Sequence, residues 1–198
     1  MKKAVKISKS ARAILAAARI LFWKHGIKRV SVEEVCEAAG VSKMTFYRNF
    51  SNKEEVALRV LEEVTSAARK KHERLLQSDE PFSEKIIGMI QLKIEASEGI
   101  SKELIRDIFK NDWTALKEFI HEQHKISEAM LIKYFKEAQI KGELSKELKI
   151  PFILYFLEVI REKMQDERLL AMYNDPVKLI KDIMHFFFYG VAGKNTDK

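Results

Sequence analysis

The sequence predicts an all-α protein, and three observations carry that expectation. Apolar residues recur every three or four positions over long stretches, and no stretch alternates apolar and polar residues as an exposed strand does. Leu, Ile, Lys, Glu and Ala dominate, and all but Ile are strong helix formers. Only three prolines and seven glycines interrupt the 198 residues. With 46% hydrophobic content, the chain can build one large or two small domains with a real core.

Taken in order, the first helix spans residues 8 to 25. Ser8 or Ser10 can cap it, and Ile14, Ala18, Leu21 and Phe22 share a face. Lys24, His25 and Gly26 end it, with cations in the last turn and Gly beyond. Ser31, with Glu34 three residues on, has the spacing of a capping box at the start of a second helix. Val32, Val35, Ala38 and Ala39 lie at helical spacing, and Gly40 suits a left-handed residue closing that helix. Ser42 can cap a short third helix that carries Lys43, Thr45, Tyr47 and Arg48. A short helix, a tight Gly turn and a basic-aromatic helix make a helix-turn-helix, whose second helix enters the DNA major groove.

Ser51 or Asn52 can cap a long fourth helix, about 53–76, whose first turn carries Glu54 and Glu55. Such a helix can belong to the head at one end and to the next domain at the other. Residues 77–81, Gln-Ser-Asp-Glu-Pro, mark the expected boundary. Beyond it, helices are expected at about 83–98, 101–110, 113–141, 150–171 and 176–190. The predicted architecture is thus a three-helix head over residues 1–53, the connecting fourth helix, and a larger helical bundle over 77–198. About nine helices are expected in all.

Charge isolates the head. Residues 1–53 hold 12 Lys/Arg and 3 Asp/Glu, whereas the remainder holds 24 Lys/Arg and 26 Asp/Glu. All of the net +7 therefore sits in the motif-bearing quarter, as polyanion binding requires. The single cysteine, Cys36, excludes an internal disulfide framework and fits a small buried residue in a reducing compartment. Cations at Lys6, Lys9, Arg12 and Arg19 interrupt the start, so a secretory leader is not expected. The longest greasy runs, Ile150 to Leu157 and Ile183 to Gly193, fall short of a membrane span. A cytoplasmic protein is expected.

The stretch from residue 10 to 60 resembles the DNA-binding signature of the tetracycline-repressor (TetR) family of transcriptional regulators. The carrying residues are Ile20-Leu21-Phe22 with Gly26, Ser31-Val32, Ala39-Gly40-Val41-Ser42, Phe46-Tyr47, Phe50 and Lys53. Met44 departs from the pattern, which often has a small residue there, and it can set apolar surface against a thymine methyl. Chemistry and resemblance together assign the DNA-binding residues. Lys43 and Arg48 meet phosphates or guanine edges, and Thr45 a phosphate or a thymine methyl. Tyr47 and Ser42 position the backbone. Ser31 and Lys53, each at a helix start, are expected as phosphate anchors. Val35, Ala39, Val41, Phe46 and Phe50 form the small core.

The segments around Ile150–Leu157 and Ile183–Tyr189 are apolar on every side, so both of their faces need cover. A homodimer through a four-helix bundle is expected, with Phe152, Tyr155, Phe156, Val159, Ile180, Met184, Phe187 and Phe188 at the interface. Twofold symmetry suits paired half-sites about one DNA turn apart in a palindromic operator. The resemblance further implies that a small molecule in the C-terminal domain moves the fourth helix and releases DNA. Phe109, Trp113, Phe119 and Tyr155 are the expected pocket aromatics, although plain core explains them as well.

No Gly-rich phosphate loop, nucleophile elbow or Cys-pair metal spacing occurs, and His121 and His124 are three apart where a zinc-protease helix needs four. No enzyme, cofactor or metal is expected. The competing reading is a helical protein- or RNA-interaction module with a basic head and no ligand control.

Overall fold

The computed structural model describes residues 7–110, 113–163 and 166–189. Among them every regular element is helical: α1 (Lys9–His25), α2 (Val32–Ala39), α3 (Lys43–Asn49), α4 (Lys53–Gln77), α5 (Phe82–Ser97), α6 (Lys102–Lys110), α7 (Thr114–Lys141), α8 (Ile150–Lys163), α9 (Glu167–Ala171) and α10 (Pro176–Tyr189). The expected helix over 150–171 is two helices. Asp166 caps α9 by accepting from the Arg168 amide at 2.9 Å, and this new N-terminus makes the tenth element.

The early helix boundaries fall where side chains satisfy the free amides of a first turn. Ser8 accepts from the Ala11 amide (3.0 Å), Ser42 from Thr45 (3.1 Å) and Asn52 from Glu55 (2.8 Å). Of the two candidates before α4, Asn52 is the cap, while the Glu55 carboxylate reaches back to the Ser51 amide at 2.7 Å.

Two compact units result. The first comprises residues 1–66 and 101–120, and the second residues 67–100 and 121–198. Both α4 and α7 are continuous helices with residues in each unit.

The first unit is built on α1, which packs against α2, α3 and α6. Ile14, Phe22, Val35, Phe46, Val56, Val60 and Leu104 are almost wholly removed from water. At about 25 cal/mol per Å² of apolar surface, burying each such side chain contributes on the order of 2 kcal/mol before chain entropy is counted. In the second unit, α5 lies against α10. Its core gathers Tyr134 and Phe135 from α7 with Ile150 and Ile153 from α8. The ring of Phe82 stacks on that of Tyr134 with centroids 5.5 Å apart. No described helix is long and apolar enough to cross a membrane.

Candidate nucleic-acid interface

The turn between α2 and α3 is set by Gly40, whose φ of 63° is left-handed. An added Cβ meets nothing within 4 Å, so conformation alone requires glycine here. The Gly40 amide donates to Glu37 (3.1 Å) and the Val41 amide to Cys36 (3.0 Å), which closes α2. At the other end of α2 the capping box is complete. The Glu34 amide donates to Ser31 Oγ at 3.2 Å, and Ser31 N and Oγ both donate to Glu34 Oε2, at 2.7 and 2.8 Å. Hydrogen bonds from the Ser31 backbone and hydroxyl hold the Glu34 carboxyl below its ordinary range.

One buried ring pins α3. Phe46 is 0% exposed and touches Phe50 at 6.0 Å and the edge of Tyr47 at 5.3 Å between centroids. With Phe46 inward, the 3.6-residue period turns Lys43, Met44, Tyr47 and Arg48 outward. Met44 is 80% exposed and Tyr47 57%, an unusual state for large apolar side chains. Thr45 is half-buried, and its hydroxyl lies 3.0 Å from that of Ser42. The exposed face of α3 is therefore basic at both ends and apolar between, which suits a groove lined by phosphates and base edges.

Lys43 also has a partner across the turn. Its ammonium is ion-paired with the carboxylate of Glu33, in the first turn of α2. The hydrogen bond from Lys43 lowers the pKa of Glu33, and the same bond raises that of Lys43. Lys53 points elsewhere: its Nζ donates to the carbonyls of Val30 (2.6 Å) and Lys28 (3.0 Å). Burial, opposed by Asp107 and Glu34, pushes its pKa down. Ser31 and Lys53, the two expected anchors, are thus both engaged within the protein.

Three residues of this region are missing from the sequence reading. Asp107 on α6 accepts from the Lys28 amide at 2.7 Å, so the loop before α2 is held by Lys53 on its carbonyls and by Asp107 on an N–H. Close by, the Ser101 amide donates to the Trp23 carbonyl at 2.8 Å. Asn49 joins the end of α3 to the start of α1, donating to the Thr45 carbonyl (2.6 Å) and accepting from the Ser8 hydroxyl (2.8 Å). Glu33 is the third.

The expected pocket aromatics divide between the two units. Phe109, Trp113 and Phe119 are half-buried in the first unit, whereas Tyr155 belongs to the second and is 68% exposed. Of the expected interface residues, Phe152, Tyr155 and Phe156 stand exposed along α8, opposite buried Ile150 and Ile153. Val159 is half-buried, and Ile180 lies inside the second unit's own core. The side chains of Met184, Phe187 and Phe188 lie outside the described residues. Phe152 and Phe156 join Leu148, Ile153 and Phe186 in lining an apolar cleft of about 260 Å³. His121 is exposed on α7, and His124 Nε2 pairs with Glu158 at 3.0 Å.

Comparison with known proteins agrees with this geometry. Residues 14–60 match the bacterial regulatory proteins of the tetR family. Over 192 residues, 95% of each chain, the sequence is 26% identical to the HTH-type transcriptional regulator YdgC of Bacillus subtilis. It is 28% identical over 160 residues to the HTH-type transcriptional repressor ComR of Escherichia coli, covering 77% of this chain and 76% of that one. In structure it resembles the fatty acid degradation regulator FadR of Bacillus halodurans, with a TM-score of 0.73 at 20% identity over 96% of this chain and 100% of that one. A helix-turn-helix on a basic head, in a chain of this helical architecture, defines a DNA-binding transcriptional regulator. Its N-terminal region, residues 14–60, is similar to the tetR family of bacterial regulatory proteins.

Proposed function

We propose that the protein is a homodimeric repressor that binds a palindromic operator and leaves it when a small molecule binds. The observation that carries this reading is the outward face of α3, exposed on the unit that holds the chain's positive excess. In this reading residues 1–53 read DNA, α4 connects, and residues 77–198 supply ligand binding and the dimer contact. Lys43, Met44, Thr45, Tyr47 and Arg48 meet the major groove, and Ser42 positions the backbone. Ser31 and Lys53 contribute through the phosphate-facing helix starts, where Lys53 has one N–H beyond the two given to Lys28 and Val30.

The exposed aromatic stripe on α8 supports the dimer. Phe152, Tyr155 and Phe156 present an apolar face too large to leave in water, and a second copy removes it. Two structures of similar fold support control by a ligand. FadR of Bacillus subtilis, 19% identical with a TM-score of 0.65, was solved with stearoyl-CoA. A putative transcriptional regulator of Saccharomonospora viridis, 14% identical with a TM-score of 0.72, was solved with choline. Because α4 runs unbroken for 25 residues, a shift at its C-terminal end reaches Lys53 at the head and changes the spacing of paired heads.

A gel shift with the DNA flanking the protein's own gene tests the proposal. Wild type should form a palindrome-specific complex, and Lys43→Ala or Tyr47→Ala should weaken it by about 1–3 kcal/mol while leaving the dimer intact. Absence of any palindrome-specific complex at low and moderate salt would sink the reading.

A further inference from the structure

The second unit contains a polar atom that nothing described satisfies. Tyr134 is 7% exposed, and its hydroxyl has no hydrogen-bond partner among the described residues. Leaving a buried hydroxyl unpaired costs about 1–3 kcal/mol, so a native core seldom keeps one without a use for it. Burial, with the Glu143 carboxylate adding to it, pushes the phenol up to about 12, so the group is a donor in search of an acceptor.

Its surroundings are not fully closed off from outside. Around the small core of Tyr134, Phe135, Ile150 and Ile153, the side chains of Leu76, Phe82, Met89, Leu131 and Leu157 are only partly buried. A single cation borders this region among the buried groups. Lys85 is 8% exposed, lies one turn beyond Phe82 on α5, and donates to the carbonyl of Leu76 at 3.0 Å. Phe82 stacks on Tyr134, and Leu76 packs on the same core, so Lys85 and Tyr134 flank one apolar region. The only buried polar or charged residues described besides Tyr134 are Lys85 and Ser97. Two buried donors without a buried carboxylate favour an acid as guest.

We propose that this core, formed by the end of α4 with α5, α7 and α8, binds an apolar monocarboxylate. Its carboxylate accepts from the Tyr134 hydroxyl beside the Lys85 ammonium, and its hydrocarbon part completes the packing among Leu76, Phe82, Met89 and Leu157. The site rests on the ligand-released reading above and gives it a place and a chemical class. Tyr134 selects for an acceptor, Lys85 for its charge, and the partly open leucines for hydrocarbon.

The test uses the full-length protein, titrated calorimetrically with a saturated series from octanoate to palmitate and with 1-dodecanol as the uncharged match to dodecanoate. An acid of the series should bind, and the alcohol should bind more weakly. Tyr134→Phe should weaken the acid about tenfold or more while leaving the melting temperature of the free protein unchanged or raised, because the substitution removes an unpaired hydroxyl. Lys85→Met should abolish the preference for acid over alcohol. Unchanged acid affinity in Tyr134→Phe would overturn the site, and so would a lowered melting temperature of that free variant. Equal binding of acid and alcohol, or no binding by any acid, would overturn the class. Operator release by some other compound in the gel shift would then leave the repressor reading standing. Release by none would remove that reading separately.

Discussion

In the first unit, side chains as large as Phe22, Phe46 and Leu104 are closed off from water, whereas among the described residues of the second only Leu179 of comparable size is closed off as completely. The second unit instead holds Phe152, Tyr155 and Phe186 more than half exposed and keeps an unpaired hydroxyl at Tyr134. One unit closes large side chains into its core, and the other keeps large apolar side chains in water; the proposed function makes the first the DNA reader and the second the sensor. A DNA reader needs fixed side chains, because misplacing α3 misplaces every base contact. A sensor needs an interior whose packing changes when a ligand or partner arrives.

This contrast can be broken most directly at one phenylalanine from each unit. Phe46→Ala should cost about 3–5 kcal/mol, seen in denaturant unfolding, and DNA binding should be lost with the first unit. Phe152→Ala should leave the unfolding of the isolated protomer nearly unchanged and weaken self-association in sedimentation equilibrium. Equal destabilisation by the two would show that α8 buries its exposed face within one chain after all.

The glycines sharpen it next. Gly26, with φ 79° and ψ 160°, has the Asp107 carboxylate 2.7 Å and the Glu103 backbone 3.2 Å from the position a Cβ would take. Gly40 has open space. Gly40→Ala should therefore cost about 1–2 kcal/mol for conformation alone. Gly26→Ala should cost more, about 2–4 kcal/mol, because steric displacement of α6 is added. Thermal melts of the two variants check the order, and equal melting temperatures would count against the α6 contact.

The smallest expected effect lies on the DNA face itself. Glu33 is ion-paired with Lys43, so in the proposed complex it sets negative charge where phosphates approach and DNA displaces it. Glu33→Gln should tighten binding to operator and random DNA alike by about two- to fivefold at low salt, the scale of an exposed ion pair. In a Lys43→Ala background the gain should shrink, and a gain of equal size there would show that Glu33 does not act through Lys43. Acid acts on the neighbouring cap in a defined direction. Glu34 is held below its ordinary pKa in the folded protein, so its stabilisation is complete above the ordinary carboxylate range and is lost as pH falls through the depressed value.

What the sequence made legible follows the range of each interaction. The caps at Ser8, Ser31 and Ser42 and the turn at Gly40 act within three or four residues, so their residue types announce them. Met44, Tyr47 and Arg48 lie exposed on α3, as the same local period requires once Phe46 is inward. Lys53 starts a helix, which points to phosphate, and its ammonium also crosses 23 residues to the Val30 carbonyl. The Asp107 bond to Lys28 spans 79 residues, and that from Ser8 to Asn49 spans 41. No local pattern marks such pairs. The split of 150–171 at Asp166 was missed because continuous apolar spacing outweighed a single capping aspartate. Aromatic content likewise gives no information on which unit a residue joins, and Tyr155 joins a different one from Phe109.

The interleaving of the two units bears on how the chain can be made and rearranged. The first unit needs Leu104, Asp107 and Leu116, which follow the first segment of the second unit, residues 67–100, in the chain. During synthesis the head is incomplete until the ribosome has passed residue 120, although its helix-turn-helix has emerged long before. A recombination that exchanges everything after α4 for another sensor brings in a foreign α6 to clasp the Gly26–Val30 loop. Successful chimaeras should therefore keep residues 101–120 with the head they came from.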